Sequence, residues 1–339
     1  MTTAFPDPIA PVLPAKPPAS TPPITAQPQD NDLAALLTAD LELRLPTESN
    51  SLLGAAARHA LLPAGKLLRP MLLVRSALAA GGSAEWVLPA AAGLECAHVG
   101  SLIHDDLIDE DTVRRGRRAV HDSYGPAVAI VTGNALFFTW FEALAECTER
   151  GVPHARIVAA TRVQAQAGRL VCEGAARELA QAAALGTSVE GYMEMVRLKT
   201  AALTSAACRI GAVLAGASAA NTEALGMAFQ IRDDLLPYTS APESVGKPTE
   251  SDLRNQRPTL PVLIARDRAT PTQREQLLLA FTTQPSDRNT EVIRAVIAST
   301  GADEAAVEAA ARQTALALDH LSRVPASVHR RHLASLATS

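Results

Sequence analysis

Asp105 and Asp109 stand four apart in the run Ser101-Leu-Ile-His-Asp-Asp-Leu-Ile-Asp-Glu-Asp111. On a helix that spacing stacks the two carboxylates one turn apart on the same face. Like charges so placed repel and weaken the helix unless a cation sits between them. Asp106, about 100° further round the helix, widens the cluster. Oxygen-only ligands suit Mg²⁺, which keeps several waters and binds through one or two carboxylates plus substrate phosphates. A second acidic pair, Asp233 and Asp234, closes the apolar segment that ends Phe229-Gln-Ile-Arg-Asp-Asp-Leu-Leu236, with Gln230 one turn back. Either pair alone reads equally well as a solvated acidic face, since charge runs commonly lie at the surface. Both close apolar helices and both are followed by cations. Facing each other across a cavity, they would hold several Mg²⁺ ions around a polyphosphate.

Cations to match that phosphate are present. Gly65-Lys66-Leu-Leu-Arg69-Pro70 puts Lys66 and Arg69 on one helical face. Arg114 and Arg115 follow the first acidic run, Lys199-Thr200 lies inside an apolar segment, and Lys247 and Arg257 follow the second pair. Arginine offers phosphate a planar fork and lysine a point charge. A surface salt bridge is the competing reading for each, and for Lys199 a side chain that snorkels to water. His98 lies seven residues before Asp105, two turns away on the same face, which suits a residue lining the site as well as a hydrogen-bonded core histidine.

The elements that position these groups are helices. The 339 residues are 47% apolar but only 3% aromatic, so Ala and Leu dominate and strands are disfavoured. Helical spacing predicts segments at 32–45, 52–62, 67–80, 85–108, 126–148, 153–184, 188–217 and 220–236, with two more at 271–281 and 287–321. No alternating strand pattern of useful length is present. A net charge of −4 argues against nucleic acid as the main partner. No unbroken apolar run reaches the roughly 18 residues of a membrane span, so no integral membrane segment is expected. Four cysteines far apart, with no CxxC pair, fit a reducing, cytoplasmic setting. Residues 1–30 hold nine of the 23 prolines and read as a disordered tail without signal-peptide character. Residues 31–339 read as one all-helical domain.

Taken in order, these segments resemble the all-trans isoprenyl diphosphate synthases over about residues 50–265. The aspartate-rich motif DDxxD is Asp105-Asp106-Leu-Ile-Asp109, followed by Arg114-Arg115-Gly116. Gly65 to Pro70 matches GK-x-x-RP, and Lys199-Thr200 the Lys-Thr pair. Phe229-Gln230 opens the second aspartate-rich motif, and Gly246-Lys247 and Ser251 through Pro261 complete the set. The resemblance implies an all-α isoprenoid synthase fold, a bundle of about ten or more helices around a deep central cavity, and a homodimer. It implies that Asp105, Asp109 and Asp233, with neighbours Asp106 and Asp234, bind Mg²⁺, three ions in the family's usual complement. Arg114, Lys199, Thr200, Gln230 and Lys247 would contact the allylic diphosphate (dimethylallyl, geranyl or farnesyl). Lys66, Arg69, His98 and Arg115 would hold isopentenyl diphosphate. The implied activity is ionisation of the allylic diphosphate, with Lys199 among the catalytic groups, and addition of one five-carbon unit per cycle.

Four positions depart from the family pattern. Pro237 replaces the third Asp of the second motif. Gly174-Ala175-Ala-Arg-Glu178 stands where Gly-Gln-x-x-Asp is frequent, Asn134 replaces an Asp after Gly133, and Arg257 replaces a Lys. Small residues at Gly100 and Ser101, just before the first motif, argue against an early stop at C10 or C15. The aromatic run Phe137-Phe138-Thr-Trp140-Phe141 is the next candidate floor, or else helix packing or a dimer interface. Geranylgeranyl diphosphate (C20) is the expected product. A longer polyprenyl diphosphate, a terpene synthase of the same fold, and a non-enzymatic partner subunit are the competing readings.

Overall fold

The computed structural model describes residues 29–45, 51–181, 185–217, 258–283 and 287–338. The helices α1 (Asp30–Leu43), α2 (Leu52–Leu61), α3 (Leu68–Ala79) and α4 (Ala84–Ile108) come first. A hairpin of two-residue strands follows, β1 (Val113–Arg114) and β2 (Arg117–Arg118), antiparallel with Arg114 opposite Arg117. Next come α5 (Val120–Tyr124), α6 (Pro126–Glu146), α7 (His154–Gln181) and α8 (Val189–Val196). A π-helical turn, Arg197–Ala201, joins α8 to α9 (Ala202–Ala215) without a break. Beyond Arg257 lie α10 (Leu260–Arg268), α11 (Pro271–Thr282), α12 (Asp287–Thr300), α13 (Ala302–Ser322) and α14 (Val328–Thr338).

Local chemistry accounts for the ends. Ser51 and Ser188 cap α2 and α8 by accepting from Gly54 N and Gly191 N, each at 3.0 Å. Thr270 and Gln273 form a capping box on α11. The segment expected at 287–321 divides into α12 and α13 because Gly301 adopts φ 62. Helix α10 falls between the segments predicted at 220–236 and 271–281, where helical spacing predicts no element. Pro261 falls in the first turn, where its missing N–H costs nothing. Helix α14 also goes beyond the sequence reading.

Pairwise packing closes a ring. Helix α4 lies against α6 and α3, α3 against α9, α9 against α7, and α7 against α6. The main core packs these helices together through fully buried leucines, among them Leu72 and Leu73 of α3, Leu94 of α4, Leu144 of α6 and Leu214 of α9. Arg75, only 1% exposed, ties three helices by bonding Asp30 of α1 and His329 of α14. Two smaller cores link α10 to the helices α11–α13 and α8.

One expectation needs correction. Three helical stretches, Ala84–Ile108, Pro126–Glu146 and Val189–Ala215, are long and apolar enough to cross a membrane by length and composition. Scattered polar residues interrupt each apolar run without lowering its mean hydropathy enough, so counting unbroken runs missed them. The first and third bury 78% and 67% of their most apolar window inside the protein. Most of the apolar surface of these two is therefore covered by the rest of the protein.

Candidate active site

Helix α4 carries the first acidic motif at its C-terminal end. Asp109 is the C-cap and stays in the αR region, with its N–H bonded to Asp105 O at 2.8 Å. Glu110 then takes φ 55, and Asp111 N reaches back to Asp106 O at 2.9 Å. This is a Schellman stop with glutamate where glycine is usual. The helix thus persists far enough to keep Asp105 and Asp109 on one face, as their spacing requires.

The π turn faces that end across the ring. Lys199 Nζ lies 3.6 Å from Asp105 Oδ1 and 2.5 Å from Glu178 Oε2 of α7. A π bulge shifts the side-chain register and recurs at functional sites; here it carries Lys199 and Thr200. Its close approach to α7 depends on Gly174, because a Cβ there would collide with the backbone of Lys199. Lys199 thus sets a positive charge between Asp105 and Glu178.

Asp106 occupies a different face. It is 3% exposed and accepts from Arg114 Nε at 2.7 Å and from Arg114 Nη2. Burial pushes its carboxyl above the usual range, against the pull of Arg114. A separate cavity of about 220 Å³, lined by Val99, Ile103, Asp106, Arg114 and Arg115, opens on that face. Asp106 and Arg114, expected on metal and diphosphate respectively, are thus bonded to each other.

Two turns back on α4, His98 Nε2 lies 3.0 Å from Arg69 Nη1. A guanidinium only donates, so the ring nitrogen accepts. Burial lowers the His98 pKa well below its usual 6.5, and Arg69, Arg115 and Arg114 lower it further. Glu95 stands three residues before His98 on the same helix. Arg69 sits in the first turn of α3, behind Leu67, whose φ of 52 sets the angle between the exposed Lys66 and the helix. Because the folded state holds His98 neutral, the unfolded chain takes up its proton first as pH falls below 6.5. Stability contributed by His98 is complete above that pH and lost below it. Comparing melting temperatures at pH 7.5 and pH 5.5 (~2 units apart) should give a smaller acid loss for His98→Gln than for the wild type. Equal losses would contradict the neutral assignment.

Asp233, Asp234, Gln230, Lys247, Arg257 and Pro237 lie outside the described residues. Among the described residues, no group of three or more His, Cys, Asp or Glu side chains is placed to hold an ion. The two carboxylates of Asp105 and Asp109 still fit Mg²⁺, which takes the rest of its shell from water and phosphate. Two participants escaped the sequence reading. Glu178 was noted only as a departure from a family Asp, and Glu95 was not singled out. A charged residue three before His98 in an apolar helix was the available signal.

The expected aromatic floor divides. Trp140 is buried and its backbone lies against Gly93 of α4, whereas Phe138 is 71% exposed and Phe141 is also exposed. Gly100 faces the Gly133 carbonyl of α6. These residues pack α4 on α6 or face outward, and Ser101 bonds the His98 carbonyl on its own helix.

A helical ring that brings a two-carboxylate helix end, a lysine on a π turn and paired arginines together defines an all-α enzyme for handling diphosphates. The polyprenyl synthetase family model matches residues 50–299. The chain is 36% identical over 283 residues to geranylfarnesyl diphosphate synthase of Aeropyrum pernix, covering 81% of this chain and 88% of that one. It is 37% identical over 228 residues to geranylgeranyl diphosphate synthase of Methanosarcina mazei, covering 65% and 69%. The crystal structure of geranylgeranyl pyrophosphate synthetase from Pyrococcus horikoshii superposes with a TM-score of 0.83 at 29% identity, over 91% of this chain and 97% of that one. A polyprenyl synthase from Caulobacter crescentus, complexed with calcium and isoprenyl diphosphate, gives 0.81 at 32% identity over 91% and 93%. The chain belongs to the polyprenyl synthetase family: it has the isoprenoid synthase fold and is a trans-prenyltransferase.

Proposed function

We propose that this enzyme condenses isopentenyl diphosphate with an allylic diphosphate and yields geranylgeranyl diphosphate. The observation that carries the reading is the single stripe of α4 that bears His98, Asp105 and Asp109, with Lys199 3.6 Å from Asp105 and Arg69 on His98. In this reading Lys199 and Thr200 contact the allylic diphosphate, joined by Gln230 and Lys247. Asp106 orients Arg114 toward the same group. Lys66, Arg69, His98 and Arg115 hold the diphosphate of the five-carbon substrate two turns away. Mg²⁺, three ions in this proposal, stabilises charge on the departing diphosphate when bound, and Asp105, Asp109, Asp233 and Asp234 would hold it.

The allylic C–O bond breaks with its electron pair leaving on the diphosphate. Lys199 and Arg114 face that charge. The double bond of isopentenyl diphosphate, fixed close by Arg69 and Arg115, supplies the electrons of the new C–C bond. The proton then lost passes to the released diphosphate. No protein nucleophile is required.

A longer product is the second reading. It is favoured by the use of Trp140 in helix packing and by the outward direction of Phe138. Incubation with Mg²⁺, farnesyl diphosphate and labelled isopentenyl diphosphate, followed by chromatography of the dephosphorylated product, tests both. A C20 alcohol supports the proposal, a ladder beyond C20 supports the second reading, and no linear product overturns both.

A homodimer belongs to the same proposal and is supported by α6. Ile130, Val131, Phe138 and Phe141 are exposed along that helix, an apolar face of the kind that marks interfaces. Phe138→Glu is expected to convert a dimer into a monomer in sedimentation equilibrium. An unchanged mass would remove α6 from the interface. A reducing, cytoplasmic setting is supported by four cysteines that lie far apart in the sequence with no CxxC pair.

A further inference from the structure

Glu95 is the acidic residue buried in the middle of α4, 3% exposed, one turn before His98. A buried carboxylate is costly unless opposite charges face it. Two do, and they come from distant parts of the chain. Arg115 Nη2 stands 4.0 Å from Glu95 Oε1. Arg69, from the first turn of α3, reaches the same side of α4 through its bond to His98, one turn on, and burial pushes the Glu95 carboxyl up against the pull of Arg69 and Arg115. At 4.0 Å the contact with Arg115 is electrostatic and too long for a hydrogen bond. It fixes the guanidinium without using Nη2 as a donor to Glu95.

Arg115 is held from two further sides. Its own backbone is left-handed, φ 52, and with Gly116 at φ 73 it forms the two-residue loop of the hairpin. A bulky residue rarely takes that conformation. Gly65 lies against the guanidinium: a Cβ at this position would stand 2.6 Å from Cζ and Nη2 of Arg115. Arg69 and Arg115 both act on the His98 ring. Arg69 bonds the His98 ring one turn beyond Glu95, and a carboxylate beside like charges offsets their mutual repulsion.

We propose that Glu95 is a positioning residue that holds Arg69 and Arg115 together as a preformed clamp for the diphosphate of the five-carbon substrate. The proposal rests on the function given above. Preorganised charges bind a ligand more tightly because the ligand does not have to gather them. Glu95 acts only through the arginines, so its removal weakens one substrate and spares the other.

The test is steady-state kinetics on Glu95→Gln and Glu95→Asp, with thermal melts to confirm folding. For Glu95→Gln the KM for isopentenyl diphosphate is expected to rise about tenfold or more. Its kcat and its KM for farnesyl diphosphate should change by less than about threefold. Glu95→Asp keeps the charge and should recover most of the loss. A fall in kcat with unchanged KM, an equal rise for both substrates, or no difference between the two variants would overturn the proposal. If Glu95→Gln does not fold, Glu95→Asp decides it by the same selective rise, smaller in size. If the wild type elongates nothing, the proposed function fails, and calorimetric titration of inorganic pyrophosphate without metal decides the Glu95 question separately. About tenfold weaker binding to Glu95→Gln supports the clamp, and equal binding overturns it.

Discussion

Asp105→Ala is expected to lower kcat by at least about 10³-fold, the scale of losing several kcal/mol of charge stabilisation at a leaving group. The fold should survive, because the Asp105 side chain is partly exposed and Lys199, beside it, keeps Glu178. Relief of the repulsion with Asp109 would even favour the helix end. Asp106→Asn separates the two roles. Asp106 is buried and bonded twice by Arg114, so its replacement should cost about 1–3 kcal/mol of stability and reduce turnover far less than Asp105→Ala. Thermal melts and initial rates on the two variants check this together. Comparable losses of kcat would place Asp106 with Asp105, against the geometry.

Lys199→Ala carries the second large effect. It removes the cation that stands between Asp105 and Glu178, which in the proposed mechanism faces the leaving diphosphate. A fall in kcat of about 10²-fold is expected, comparable with removing one preorganised donor. Glu178→Ala should cost less than about tenfold, since Lys199 retains Asp105 and its place on the π turn. Lys199→Arg should not rescue. The turn is pressed against Gly174, and a planar guanidinium does not replace a compact ammonium in so tight a place. Rates of Lys199→Ala at saturating substrates, with added primary amines as a rescue, measure the effect. If Glu178→Ala proves the more damaging, the carboxylate and not the ammonium dominates the pair.

The helices that build the ring were legible because their apolar residues repeat at helical spacing over long stretches. The first acidic motif was legible for the same reason: a four-residue spacing has one meaning on a helix. The stacking of Lys199 against Asp105 was not. It depends on a π turn, and nothing in Arg197-Leu-Lys-Thr-Ala201 distinguishes a π register from the α register on either side. The hairpin at Val113–Arg118 was hidden because each strand has two residues, too few to alternate. Arg115-Gly116 was its only local signal. Helical geometry places Asp106 about 100° round the helix from Asp105, as a group that widens the acidic cluster. Its true partner, Arg114, is eight residues away and is reached only because the hairpin folds back on α4. Glu95 required knowing that α3 and the hairpin converge on one side of α4, which no local pattern encodes.

The most direct measurement of the central claim is pyrophosphate release from farnesyl diphosphate, followed together with product formation, with and without isopentenyl diphosphate and with and without a chelator. The account predicts one pyrophosphate for each five-carbon unit added, release that depends on isopentenyl diphosphate, and loss of both signals when divalent ions are removed. Release without isopentenyl diphosphate, accompanied by a hydrocarbon or alcohol, or elongation that survives chelation, would contradict it.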